Sequence, residues 1–158
     1  MFSLSRMKKI RIYQCTKIQD TPSPAVEVLS ESMRSSQKKS IKIDAAEMLT
    51  QYQASNGDIL LVLDEDSPYE EQLHFVLLRD DQIIGYIKYG GLYTPGVFKE
   101  ISRENDDLRF TFASDEVLSL TLNKTATRWN NQLPPGARYQ GGWFQPQYLS
   151  LKITGTAT

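Results

Sequence analysis

Ile59-Leu60-Leu61-Val62-Leu63, then Leu73-His74-Phe75-Val76-Leu77-Leu78, then Ile83-Ile84-Gly85-Tyr86-Ile87 are the three runs whose reading decides the fold. The first is apolar at every position. A strand with one wet face alternates, so an unbroken run of this length predicts a central strand covered on both faces. The second and third are joined by Arg79-Asp80-Asp81-Gln82, a link that permits only a hairpin, because parallel strands need a crossover of about a dozen residues.

The same periodicity continues toward the C-terminus. A strand over 97–103 follows Pro95-Gly96, and Glu104-Asn105-Asp106-Asp107 turns the chain again. Leu108, Phe110 and Phe112 alternate with Arg109 and Thr111, and Leu118, Leu120 and Leu122 alternate with Ser119 and Thr121, each predicting a strand with one wet face. Residues 123–146, with Pro134-Pro135-Gly136 and Gly141-Gly142, predict a long irregular connection, and Leu149, Leu151 and Ile153 a last strand over 148–153.

Toward the N-terminus a first strand is expected over 9–15, followed by two helices. Ser23 as cap and Pro24 at the first helical position begin one over 24–35, with Ala25, Val28, Leu29 and Met33 on a stripe. Asp44-Ala45-Ala46-Glu47 resembles a capping box, Ile43 and Met48 a hydrophobic staple, and Asn56-Gly57 a left-handed C-terminal cap. Ala45, Met48, Leu49 and Tyr52 between them follow i, i+3, i+4, i+7 spacing. The expected fold is therefore α+β: a mainly antiparallel sheet of about seven to eight strands with two N-terminal helices packed on one face. One domain over 1–158 suits this length, with 1–8 and 154–158 expected to be loose.

Composition sets the bounds on function. Lys plus Arg is 18 against 19 for Asp plus Glu, so a net charge of -1 supplies no global field toward nucleic acid or an anionic membrane. A single cysteine, Cys15, closes no internal disulfide, and no apolar run approaches the roughly 20 residues of a membrane-spanning helix. The expected compartment is the cytoplasm.

Catalytic groups are scarce. His74 is the only histidine, and with one cysteine it makes neither a typical zinc site nor a cysteine–histidine pair. The glycines match neither the dinucleotide fingerprint nor the P-loop. No catalytic residue, metal site or cofactor is assigned. Two segments instead carry binding chemistry. Asp64, Glu65, Asp66, Glu70 and Glu71 lie between two strands and read as an electrostatic patch for a basic partner or as a solvated turn, without calcium-loop spacing. Arg128, Trp129, Arg138, Tyr139, Trp143 and Phe144 combine the residue types that dominate interface hot spots, although such aromatics also cap the open end of a sheet.

Phe75-Val76-Leu77-Leu78-Arg79-Asp80-Asp81-Gln82-Ile83-Ile84-Gly85-Tyr86-Ile87, after a strand and two expected helices, resembles the early part of an N-acetyltransferase of the GNAT superfamily. That resemblance covers under a third of the chain and implies an acyl-CoA-dependent acyltransferase. The turn that cradles the acyl-CoA pyrophosphate in that family, Gln/Arg-x-x-Gly-x-Gly/Ala before a helix, has no counterpart here. The reading preferred from the residues is a non-enzymatic protein-binding module of the kind that small bacterial inhibitor or immunity-type proteins represent. An acyltransferase and a single-stranded nucleic-acid binder working through the Trp/Arg segment are the alternatives.

Overall fold

A computed structural model describes residues 7–19, 24–30, 40–65, 72–91, 96–127, 133–140 and 147–157. Among these residues the chain is all-β: thirteen strands in three antiparallel sheets, with no helix. In chain order the strands are β1 Lys8–Lys9, β2 Tyr13–Gln19, β3 Ala25–Ser30, β4 Ile41–Ile43, β5 Glu47–Gln53, β6 Ile59–Asp64, β7 Gln72–Arg79, β8 Gln82–Gly90, β9 Lys99–Glu104, β10 Asp107–Thr111, β11 Glu116–Thr127, β12 Ala137–Tyr139 and β13 Gln147–Thr156.

A six-stranded sheet in the order β1-β5-β6-β7-β8-β12 forms the middle layer. The four-stranded sheet β13-β11-β10-β9 covers one face and the three-stranded sheet β2-β3-β4 the other. This explains the unbroken apolar run. Leu60 and Val62 enter the core shared with the four-stranded sheet, while Ile59, Leu61 and Leu63 enter the core shared with the three-stranded one. β7 divides in the same way, with Leu73, Phe75 and Leu77 on one side and Val76 and Leu78 on the other. Opposite them Leu108, Phe110, Leu118, Leu120, Leu149 and Leu151 point inward. Phe110 packs against Phe75 and Phe98, at ring separations of 5.2 Å in both cases.

The α+β expectation is overturned at both helices. Residues 25–30, expected to begin the first, form β3, the middle strand of its sheet, pairing with β2 and β4. Val26 and Val28, two residues apart, are fully buried against the central sheet, and β-branched side chains suit that pleated surface. The rest of that expected helix, 31–35, lies outside the described residues. The second helix is replaced by β5. The amides of its expected first turn are used elsewhere: Ala45 N–H donates to the Ile43 carbonyl at 2.9 Å, and Ala46 N–H to the Asp64 carbonyl at 2.8 Å. Asn56-Gly57 caps no helix and instead turns the β5–β6 hairpin, with Gly57 at φ +95°. Among the described residues neither of the two helices implied by the acetyltransferase resemblance is found.

Polar ties fix the layers. Asp106, in the β9–β10 turn, accepts from Ser55 N–H at 2.9 Å and from Ser55 Oγ at 2.6 Å, joining it to the β5–β6 turn. Arg79 forms a bidentate pair with the buried Asp58, at 2.9 and 2.8 Å, and its guanidinium lies 4.7 Å from the centre of the Tyr148 ring in the facing sheet.

Candidate functional site: an acidic cleft between two sheets

Between β5 of the central sheet, which the two-residue β1 covers only at Tyr52 and Gln53, and the edge strand β9 of the facing sheet lies a cleft of about 540 Å³. Its carboxylates are Glu47 from β5, Asp64 from β6 and Glu100 from β9, against the single ammonium of Lys9 from β1. Leu73, Phe98 and Phe112 supply apolar wall, and Leu49 and Val97 are exposed. Val97, at 66% exposure, is the most exposed large apolar side chain among the described residues.

Strand register builds this arrangement. Glu47 and Asp64 are direct partners across the β5–β6 ladder, and Lys9 is the partner of Tyr52. Like charges placed opposite each other on a sheet repel, and Glu47 and Asp64 stand so. A register shift between Met48 and Thr50 brings Leu49 to the rim. Glu100 pairs with Arg103 at 3.2 Å and hydrogen-bonds the Tyr52 hydroxyl. Burial, then that hydrogen bond, hold the Tyr52 phenol well above its ordinary titration range. At the far wall Gly96 lies on the Phe112 ring. A Cβ there would meet Phe112 at 2.7 Å, so the close approach of the segment that carries Val97 requires glycine.

The predicted site residues are divided by the fold. Asp64 lines the cleft, while Glu65, the next residue, accepts a hydrogen bond from His74 Nε2 at 2.7 Å in the central sheet. A carboxylate only accepts, so Nε2 carries a proton, and in the neutral imidazole Nδ1 accepts from the Tyr86 hydroxyl at 2.5 Å. His74 is fully buried in this polar bridge. Burial, with Asp44 and Glu65 nearby, keeps the Tyr86 phenol protonated well beyond its usual range, which opposes a role as a nucleophile. Burial also pushes the Cys15 thiol up. Arg138, on β12, is exposed and donates to Gln72 Oε1 at 3.1 Å; Tyr139 packs on the main core and donates its hydroxyl to the Leu149 carbonyl at 2.9 Å. Asp66, Glu70, Glu71, Arg128, Trp129, Trp143 and Phe144 lie outside the described residues.

Sequence reasoning missed Glu47, Glu100, Lys9, Leu49 and Val97. Glu47 and Leu49 carry signals that read as a capping box and a helical stripe, and the residues become neighbours only through strand register and the packing of two sheets. Among the described residues no three His, Cys, Asp or Glu side chains are grouped to hold a metal ion, and no helix is long and apolar enough to cross a membrane. Comparison of the chain with protein-family models, with curated proteins and with solved structures finds no match.

Proposed function

We propose that this chain is a non-catalytic, cytoplasmic module that binds another protein, in the manner of a small inhibitor, and that the cleft between β5 and β9 receives a basic segment of that partner. The observation that carries the reading is the meeting of three carboxylates with exposed Leu49 and Val97 around one concave surface. A lysine or arginine side chain matches such a surface, its apolar stem on the cleft wall and its charged head among the carboxylates. Glu47 and Asp64 face each other across the ladder, and a further cation beside them lowers their mutual repulsion.

The test is a comparative capture from the source cell using wild type, the double variant Glu47→Gln/Asp64→Asn, and the control Arg109→Gln on an exposed position of β10. A partner held by wild type and the control and lost from the double variant is the expected result. The recovered complex should then associate at least about 10-fold more slowly with the double variant at low salt, with a smaller change in dissociation rate. Equal capture by all three proteins removes the cleft from the interface.

A further inference from the structure

A second charged surface lies at the other edge of the central sheet from the cleft. β12 closes that edge by pairing with β8, and the ladder sets Arg138 directly opposite Lys88. Across the other side of β8, Lys88 is the partner of His74. Partners in a ladder share a face, so both cations stand on the face where Val76 and Leu78 meet the three-stranded sheet. Among the described residues β12 adds nothing to the apolar cluster beneath that sheet and β8 adds only Tyr86. This corner is therefore open: Arg138 is exposed and Lys88 partly buried.

Among the described residues this is the only ladder position at which two permanent cations face each other. Lys42, by contrast, faces Glu27. Facing partners have Cβ atoms about 5 Å apart, and like charges so placed repel. Neither Lys88 nor Arg138 forms an ion pair among the described residues. Asp44 acts on the Tyr86 phenol, and Glu65 is engaged by His74. Glu65 follows β6, so its backbone stands about 10 Å from that of β8 and about 14 Å from that of β12. Gln72 holds the guanidinium in place: its Oε1 accepts from Arg138 Nη2 at 3.1 Å, which leaves Nε and Nη1 to donate elsewhere.

We propose that Lys88 and Arg138 hold a doubly charged phosphoryl group, as free phosphate or as a phosphomonoester. Two facing cations match a dianion, and a monoester carries close to two negative charges above its second pKa of about 6. Its oxygens suit the planar donor fork of Arg138, with the Lys88 ammonium as a point charge beside them. A carboxylate or a phosphodiester carries one charge and balances only one of the two cations. This site is separate from the cleft and from the basic segment assigned to it.

Phosphorus NMR titration of the full chain at pH 8 and low salt tests it with inorganic phosphate, glycerol 3-phosphate and dimethyl phosphate. Both dianions should bind saturably with dissociation constants of about 1 mM. Dimethyl phosphate should bind at least about 10-fold more weakly. Tighter binding of glycerol 3-phosphate assigns the site to a phosphoryl group carried on a larger molecule, and equal binding assigns it to free phosphate. Lys88→Gln and Arg138→Gln should each weaken both dianions at least about 10-fold, while Lys42→Gln leaves them unchanged. Without phosphate, Lys88→Gln should unfold in urea at no lower midpoint than wild type, because it removes a repulsion. The proposal is overturned if neither dianion binds saturably, if dimethyl phosphate binds equally well, or if both glutamine variants bind as wild type does. A lowered midpoint for Lys88→Gln overturns it too, since Lys88 would then be serving the fold.

Discussion

At the scale of single residues, the polar groups that matter most to stability are those inside the apolar layers. His74 is fully buried, with Glu65 on one ring nitrogen and Tyr86 on the other. Removing the imidazole leaves the Tyr86 hydroxyl without its acceptor and opens a cavity beside Leu63, its partner across the β6–β7 ladder. His74→Ala should therefore destabilise the chain by about 3 kcal/mol in urea unfolding, of which about 1–3 is the stranded hydrogen-bonding partners. An unsatisfied partner is costlier than an absent one. The double variant His74→Leu/Tyr86→Phe should accordingly be more stable than His74→Ala by at least about 1 kcal/mol. Equal unfolding midpoints for the two would assign the loss to the cavity alone.

At the scale of elements, what could be read in advance and what could not are separated by residue pattern. The double covering of β6 followed from its unbroken apolar run, and the alternation of β10 and β11 followed from Leu108, Phe110, Leu118, Leu120 and Leu122, all buried. β5 defeated the reading because seven residues satisfy two periods: Tyr52 lies on the apolar stripe of a helix and also on the inward face of a strand, whereas Leu49, needed by the helix, is exposed. The decision belongs to β6, which pairs with Glu47 to Gln53 in a ladder broken at Leu49, and no local signal announces it. Asn56-Gly57 is likewise shared, since a helix cap and a tight hairpin both require φ > 0. For the candidate site, Asp64 stood out by acidic density, but Glu47 and Glu100 come from strands of different sheets and meet only through the packing of those sheets. The hairpin role of Gly57 has a measurable consequence. With φ at +95° and nothing within 4 Å of a would-be Cβ, Gly57→Ala should lose about 1–2 kcal/mol through backbone strain alone. Gly155→Ala, equally uncrowded but without positive φ, should be neutral or slightly stabilising. Similar urea midpoints for the two alanine variants would mean that the turn relaxes at no cost.

At the scale of the molecule, two phenols tie the central sheet to the layers on either side of it, and a third lies within the central sheet. Tyr13 of the three-stranded sheet donates to Asp81 at the β7–β8 turn, Tyr52 of the central sheet hydrogen-bonds Glu100 of the four-stranded one, and Tyr86 donates to His74 on the face toward the three-stranded sheet. Burial is the first cause that raises each of these phenols above its ordinary value of 10.0, and the acidic partners of Tyr13 and Tyr52 raise them further. A group whose titration point is raised by folding contributes stability that is complete below the unfolded value and is lost as pH rises through the folded one. The unfolding free energy should therefore be flat, as far as these groups are concerned, from pH 8 to about 9.5. Above about pH 10 each tyrosine still protonated in the fold and ionised in the unfolded chain removes about 1.4 kcal/mol per pH unit. Lysines titrate in the same range, so wild type alone does not separate the two. Tyr13→Phe/Tyr52→Phe does: that variant should lose less stability between pH 10 and 11 than wild type, by up to about 2 kcal/mol. The tyrosinate absorbance of Tyr13 and Tyr52, read as wild type minus variant, should appear only as the layers come apart. Parallel stability curves for wild type and variant would show that the phenols between the layers are not what fails at high pH.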